Sequence, residues 1–293
     1  MRVIQYLLIA LLGISISSKA QQKKDPNNTL FWEISGNGLQ KSSYLFGTYH
    51  FADKGFIDTM KVLNEKLNLA DAVVGEMVID KDMAMKLAPY MMMKDNTLDS
   101  LLTAKEFKMV DEYLKTIGKY ELTKMNKLKP VMIQTLIIQD LAPKTFTTTN
   151  PAIDQYIQDY GKANHKQVFG LETIDDQAKV LFGSSLIRQK EMLVKSVRGI
   201  EKMRKENLKL YQSYIAQNLT LIEKMLVNSK EFTADEMDDL LKNRNNKWVA
   251  KLPELMQNQS LFIAVGAGHL IGKYGLIKIL KTQGYNVTPL PTN

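Results

Sequence analysis

The sequence predicts an α/β fold, a central mixed sheet with a large helical insertion. Three observations carry this reading. Short apolar runs lie near both ends of the chain, while long charged stretches with helical spacing fill the middle. Gly36-Asn37-Gly38 separates two strand-like runs in the manner of a hairpin. Four apolar runs lead directly into histidine or glutamate, as expected at the carboxyl ends of strands, where open α/β sheets gather their ligands.

The elements follow in order. Met1-Arg2, an apolar run from Val3 to Ile16, and Ser18-Lys19-Ala20 form an export-signal pattern over residues 1–20, with cleavage after Ala20. The apolar run is shorter than the ~20 residues that span a bilayer, which weighs against an uncleaved anchor. Residues 21–28 are polar and read as a flexible leader, and 29–293 as a single domain. Thr29 to Ser35 and Ser43 to Gly47 read as the hairpin, Asp58 to Leu69 as a helix, and Ala72 to Met77 as a buried strand. Helical pattern then runs from Lys81 to about Ala142, with Pro130 at a favoured first turn, and again from Pro151 to Tyr160. Together these give a first helical segment of about 81–160. Gln167 to Leu171 is strand-like, and Thr173 to Asp176 matches a capping box ahead of an apolar run. A second helical segment, about 185–256, contains a break near Gly199. Ser260 to Val265 is the most apolar strand, followed by a helix over Tyr274 to Thr282 and a last strand around Tyr285 to Leu290.

Composition narrows the function. The 293 residues hold 39 basic and 31 acidic side chains and no cysteine. Without Arg2 and Lys19 the mature chain keeps a net charge of +6, spread over helical faces. No basic run is interleaved with aromatics, so nucleic acid is not an expected partner. The absence of cysteine excludes both disulfides and a lipoprotein anchor. With the signal removed, no stable membrane span is expected, and the protein belongs in the periplasm or outside the cell. Composition says nothing of the oligomeric state.

Two of the three histidines share one local pattern, a strand, a glycine and a histidine three places later: Gly47 to His50 and Gly266 to His269. Imidazole is the commonest metal ligand and general base near neutral pH. Glu76 and Glu172 follow two further strands, and two imidazoles with two carboxylates on one rim would suit a divalent metal. Gly47, Gly266 and Gly268 are expected to adopt dihedrals that other residues resist, releasing the chain from the sheet. Ordinary readings compete. Glu76 is also a plain strand-end carboxylate facing water, and Glu172 also favours the helix N-terminus after it. Arg244 and Asn245 fall inside a helix, four and three residues before Trp248. Arg244 is expected either to clamp a carboxylate or stabilise an oxyanion, or to make a surface salt bridge. His165, in a polar turn, reads as a solvated surface residue. Met83, Met85, Met91, Met92 and Met93 either line an adaptable apolar groove or fill core.

These motifs resemble the TraB/GumN family, whose eukaryotic relatives include the Tiki-type metalloproteases. The resemblance rests on Phe46-Gly47-Thr48-Tyr49-His50, Gly75-Glu76, Phe169-Gly170-Leu171-Glu172-Thr173 with Gln177, Arg244-Asn245 with Trp248, and Ala264-Val265-Gly266-Ala267-Gly268-His269-Leu270. It implies a fold shared with the erythromycin-esterase-like and ChaN-like proteins. For the Tiki-like branch it implies metal-dependent peptide cleavage with manganese or cobalt; zinc stays open on ligand chemistry. The expected activity is an exported metal-dependent hydrolase acting on a peptide or protein substrate. His50, His269 and one of Glu76 or Glu172 would hold the metal, the other glutamate would act as base, and Arg244 with Asn245 would steady the oxyanion. The alternatives are a protein that sequesters a peptide or signal without cutting it, and a haem- or iron-handling protein.

Overall fold

The computed structural model describes residues 28–142, 147, 149–229 and 231–293. The expected signal at 1–20 and nearly all of the leader at 21–28 lie outside the described residues. The architecture is mixed α/β, as the sequence predicts. Six strands form one sheet: β1 Phe31–Ser35, β2 Ser43–Thr48, β3 Ala72–Gly75, β4 Gln167–Gly170, β5 Leu261–Gly266 and β6 Asn286–Pro289, in the order β4-β3-β5-β2-β1-β6. Strands β4, β3, β5 and β2 run parallel; β1 is antiparallel to both β2 and β6.

The hairpin between β1 and β2 turns at Gly36, Asn37 and Gly38, whose φ angles are 75°, 47° and 82°. These are the residue types that tolerate the left-handed region. Strand β5, though among the last elements in the chain, sits between β3 and β2. Its residues Leu261, Phe262, Ile263 and Val265 are wholly buried, as a central parallel strand covered on both faces requires. The main core gathers these with Phe31, Phe46, Val73, Val74, Trp248 and Leu252.

The helical regions divide more finely than the sequence pattern. The helix expected at Asp58–Leu69 runs from Lys61 to Leu69, and a separate short helix, Lys54–Asp58, precedes it. The stretch after Lys81 breaks into Met83–Met91, Leu98–Leu101, Ala104–Ile117, a 3-10 turn at Leu122–Met125, and Pro130–Leu141. Helices Ala104–Ile117, Pro130–Leu141 and Leu186–Arg198 close over a second core of Val110, Leu114, Ile133, Ile137 and Leu193. Gly199 separates Leu186–Arg198 from Ile200–Ile215, where the break was expected. The methionines do not share one groove. Met93 lies in the second core, Met83 and Met91 pack against Leu87 and Phe182, and Met85 and Met92 are exposed.

A fork-to-fork ion pair ties the second helical region together. Arg188 Nε and NH2 donate to the two Glu236 carboxylate oxygens at 2.7 and 2.8 Å. This pairing, with the Arg188 hydrogen bond as the largest cause, holds the Glu236 carboxyl at about 2 against its ordinary 4.5. A depressed acid stabilises the fold above its unfolded pKa, and that contribution fades as the pH falls through its folded pKa. Glu236→Gln is therefore expected to lower the urea midpoint at pH 7, with the gap to the parent closing between about pH 4.5 and pH 2. Equal gaps at pH 7 and pH 2.5 would remove the ion pair as the cause.

Candidate functional site

The four parallel strands end on one rim. Register pairs Thr48 with Gly266, Gly75 with Ala264, and Gly75 with Gly170. The chain thus leaves the sheet toward Glu172, Glu76, His269 and His50 in the spatial order of β4, β3, β5 and β2. Beyond the last strand pairs, Leu171 N–H still donates to Gly75 O at 3.0 Å and Glu172 N–H to Glu76 O at 2.8 Å. That continued ladder sets the two glutamates side by side. Gln158 secures the turn after Glu76, donating to Met77 O and accepting from Ile79 N–H, both at 2.8 Å.

Unusual dihedrals are not what Gly47, Gly266 and Gly268 supply, which corrects that expectation; Gly47 and Gly266 serve close approach instead. None of the three has a positive φ, and Gly266 sits at φ −52°, ψ 136°. A β-carbon on Gly266 would come within 3.2 Å of Glu76 Oε1, and one on Gly47 within 3.1 Å of the Ala267 backbone. The bare backbone at Gly266 lets its N–H donate to Glu76 Oε1 at 2.9 Å.

His269 is buried, and its tautomer follows from its neighbours. Asn245 Nδ2 donates to two backbone carbonyls, His269 O at 3.0 Å and Tyr274 O at 2.7 Å. Its Oδ1 is left as an acceptor, so His269 Nδ1 carries the proton and donates to it at 2.7 Å. Burial, aided by the charge of Arg244, keeps the imidazole neutral, with a pKa of about 4. Nε2 therefore presents a lone pair to the centre of the site, where Arg244 NH1 donates to it at 3.0 Å.

Arg244 is the hub. Its Nε donates to Glu172 Oε2 at 2.9 Å, and its NH2 donates to both Glu172 Oε1 and Glu76 Oε2. NH1 also reaches Leu240 O at 3.3 Å, and the guanidinium lies 4.8 Å from the centre of the Trp248 ring. The side chains of Arg244, Glu76, Glu172 and His269 are each 10% exposed or less, so the surface salt bridge weighed for Arg244 does not hold. Burial alone would raise the Glu76 carboxyl. At the low pH where it titrates, the charge of protonated His269, then those of Arg244 and His50, and the Gly266 N–H pull it down to about 2. Two carboxylates share one guanidinium here, so the inner cluster holds one more acid than base.

His50 stands apart at the mouth, with 68% of its side chain exposed. Its Nδ1 lies 2.9 Å from Asp154 Oδ2, while the Thr48 hydroxyl donates to Asp154 Oδ1 at 2.6 Å. The charge of Asp154 and this hydrogen bond raise the His50 pKa above the usual imidazole range. The sequence reading missed Asp154. It lies in the first turn of helix Ile153–Ala163, 104 residues from its partner, and its only local signal is an acid at a helix start. His165 is exposed at φ 56°, as expected of a surface turn.

Among the described residues no three His, Cys, Asp or Glu side chains are grouped closely enough to hold a metal ion. The guanidinium of Arg244 instead bridges the two glutamates and the inner histidine. Asn245 touches His269 and backbone carbonyls, and so shapes the site from behind. Among the described residues no helix is long and apolar enough to cross a membrane.

The chain is 25% identical over 191 residues to the metalloprotease TIKI homolog of Nematostella vectensis, covering 55% of this chain and 40% of that protein. It is 33% identical over 78 residues to metalloprotease TIKI2 of Danio rerio, covering 24% of this chain and 15% of the relative. It is 24% identical over 169 residues to metalloprotease TIKI1 of Xenopus tropicalis, covering 48% and 33%. Each match thus spans less than half of the relative's length. The model of the TraB/PrgY/gumN family matches residues 30–289, which takes in every strand and every rim residue described above, and the chain belongs to that family.

Proposed function

We propose that this protein is an exported metal-dependent hydrolase that cleaves peptide bonds. One observation carries the reading. Both rim histidines commit Nδ1 to a protein acceptor, Asp154 for His50 and Asn245 for His269, and the Nε2 of His269 points into the site, where it accepts from Arg244. A partner behind each imidazole is the usual arrangement for metal-ligating histidine. The donor chemistry of the rim fits a divalent cation: two imidazole nitrogens, two carboxylates and an excess of acid. Manganese, cobalt and zinc all accept this set.

In this reading His50, His269 and Glu76 would hold the cation once Arg244 gives up its bonds to Glu76 and His269 and the three side chains draw closer than they stand in this structure. Glu76 is the carboxylate nearer the inner imidazole, its Oε1 lying 3.7 Å from His269 Nε2. Nε2 of His50 would be its donor atom to the cation, with the Nδ1 proton kept for Asp154. When bound, such a cation supplies Lewis acidity that activates water and polarises a scissile carbonyl. Glu172 takes the proton from the attacking water. Arg244, released from one of its two carboxylates, steadies the developing oxyanion or a terminal carboxylate of the substrate. Asn245 holds the His269 ring.

The test uses protein purified without a histidine tag, loaded with manganese, cobalt or zinc, and incubated with a peptide library read by mass. New fragments that disappear with chelator support the hydrolase. Glu76→Gln is expected to lose both metal and cleavage. Glu172→Gln is expected to keep metal and lose at least about 100-fold in kcat, the scale of a general base. The reverse pattern would exchange the two roles. A second reading, sequestration of a peptide without cleavage, draws on the full set of protein partners around Arg244, which leaves the rim satisfied without a cation. Intact bound peptide and no fragments under any metal would favour it.

A further inference from the structure

We infer that Asp154 is the positioning residue of His50, and that Thr48 positions Asp154 in turn. The inference rests on the reading of His50 as a working residue of the rim. The geometry is a three-member chain. The Thr48 hydroxyl, at the very end of β2, donates to one carboxylate oxygen at 2.6 Å, and His50 Nδ1 meets the other at 2.9 Å. Because a carboxylate only accepts, the shared proton sits on Nδ1. The ring is therefore fixed in orientation, and Nε2 becomes the nitrogen that faces a ligand.

The backbone makes the carboxylate a stiff support. Ile153 N–H donates to Ala52 O at 3.1 Å, Lys54 N–H donates to Pro151 O at 2.9 Å, and Asp53 pairs with Ala152 as an isolated bridge. The loop after β2 is thus stitched to Pro151, Ala152 and Ile153, the three residues just before Asp154. A ring as exposed as His50 has little packing to hold it, so its orientation depends on this hydrogen bond. His269 has packing besides its bond to Asn245, being buried against Trp248 at a ring separation of 4.3 Å. The rim thus holds one histidine by packing and Asn245, and the other by Asp154.

The test exploits the three histidines of the chain. Imidazole nitrogen correlation spectra of the full, metal-free protein resolve the tautomer of each ring. Recorded above the raised pKa of His50, the parent is expected to show the neutral ring with its proton on Nδ1. Asp154→Ala should return His50 to a mixture dominated by the Nε2–H form, and Thr48→Val should shift it part of the way. The His269 signals serve as the fold control and should not move. With metal and peptide, Asp154→Ala should lose about 10–100-fold in kcat, and adding it to His50→Ala should cost little more.

A His50 tautomer unchanged in Asp154→Ala, with His269 intact, overturns the inference. So does a loss that adds fully to that of His50→Ala. If Asp154→Ala does not fold, Thr48→Val decides alone, and an unmoved His50 ring there overturns the inference. A tautomer that shifts as expected, in a parent that cleaves no peptide with any metal, supports the positioning role and brings down the hydrolase reading separately.

Discussion

Replacing Arg244 with leucine is expected to cost about 3–5 kcal/mol of folding stability, the scale for removing one partner of a buried ion pair. Leucine keeps some of the packing on Trp248 and removes every donor. Glu76 and Glu172 would then face each other with no cation between them, and the His269 Nε2 would lose its hydrogen bond. Urea unfolding at pH 7 measures the loss. The same variant has a second expected property: a divalent ion should raise its melting temperature more than it raises the parent's, because the ion would fill the electrostatic role the guanidinium has vacated. A variant as stable as the parent would show that the charge network contributes little. A variant that is destabilised yet indifferent to manganese, cobalt and zinc would count against the rim as a cation site.

His269→Ala is expected to weaken divalent-metal binding by more than about 100-fold, since even an outer partner of a metal-bound histidine is worth about 10–100-fold. Cleavage should fall to background with it. Asn245→Ala should show the lesser, outer-partner effect, because it frees the ring without removing Nε2. Equilibrium dialysis of the untagged protein against the metal alone reads both variants without reference to turnover. Parent-like affinity in His269→Ala would show that the inner imidazole is not a ligand.

Much of this site is written into short stretches of sequence, and the legible part has a common physical origin. A buried parallel strand is a run of apolar residues, so the first polar residue beyond it stands out. His50, Glu76, Glu172 and His269 were found that way, and the structure brings all four to one rim. Arg244 and Asn245 were visible as polar residues within an apolar helical face, but their partners were not. Nothing in the local pattern says that the guanidinium turns toward two glutamates of its own chain instead of a substrate. Asp154 was invisible for a related reason: its meaning lies in the contact with His50, and a single acid in a first helical turn is commonplace. The glycines were noticed for the wrong reason. Gly47 and Gly266 are needed for near approach between neighbouring backbones and side chains, and sequence does not distinguish that from conformational freedom. The helical middle was read as longer pieces than it contains, because periodicity persists across breaks such as the one between Met91 and Leu98.

The helix that carries Arg244 is entered through a wide π turn, Asp238–Lys242, in which Asn243 N–H bonds back to Asp238 O rather than to the nearer carbonyl of a regular helix. Such a turn holds one surplus residue, and each residue of an α-helix advances the azimuth by about 100°. The surplus residue is a phase setting: upstream, the helix answers to Thr233 and the Arg188 clamp on Glu236; downstream, it must aim Arg244 and Asn245 inward. Excising a single residue from this turn would regularise the spiral with both halves close to their present facing, whereas a regular helix holding the same number of residues would swing Arg244 and Asn245 by about 100°. The charge balance of the rim is thus governed by a backbone register one turn away from it.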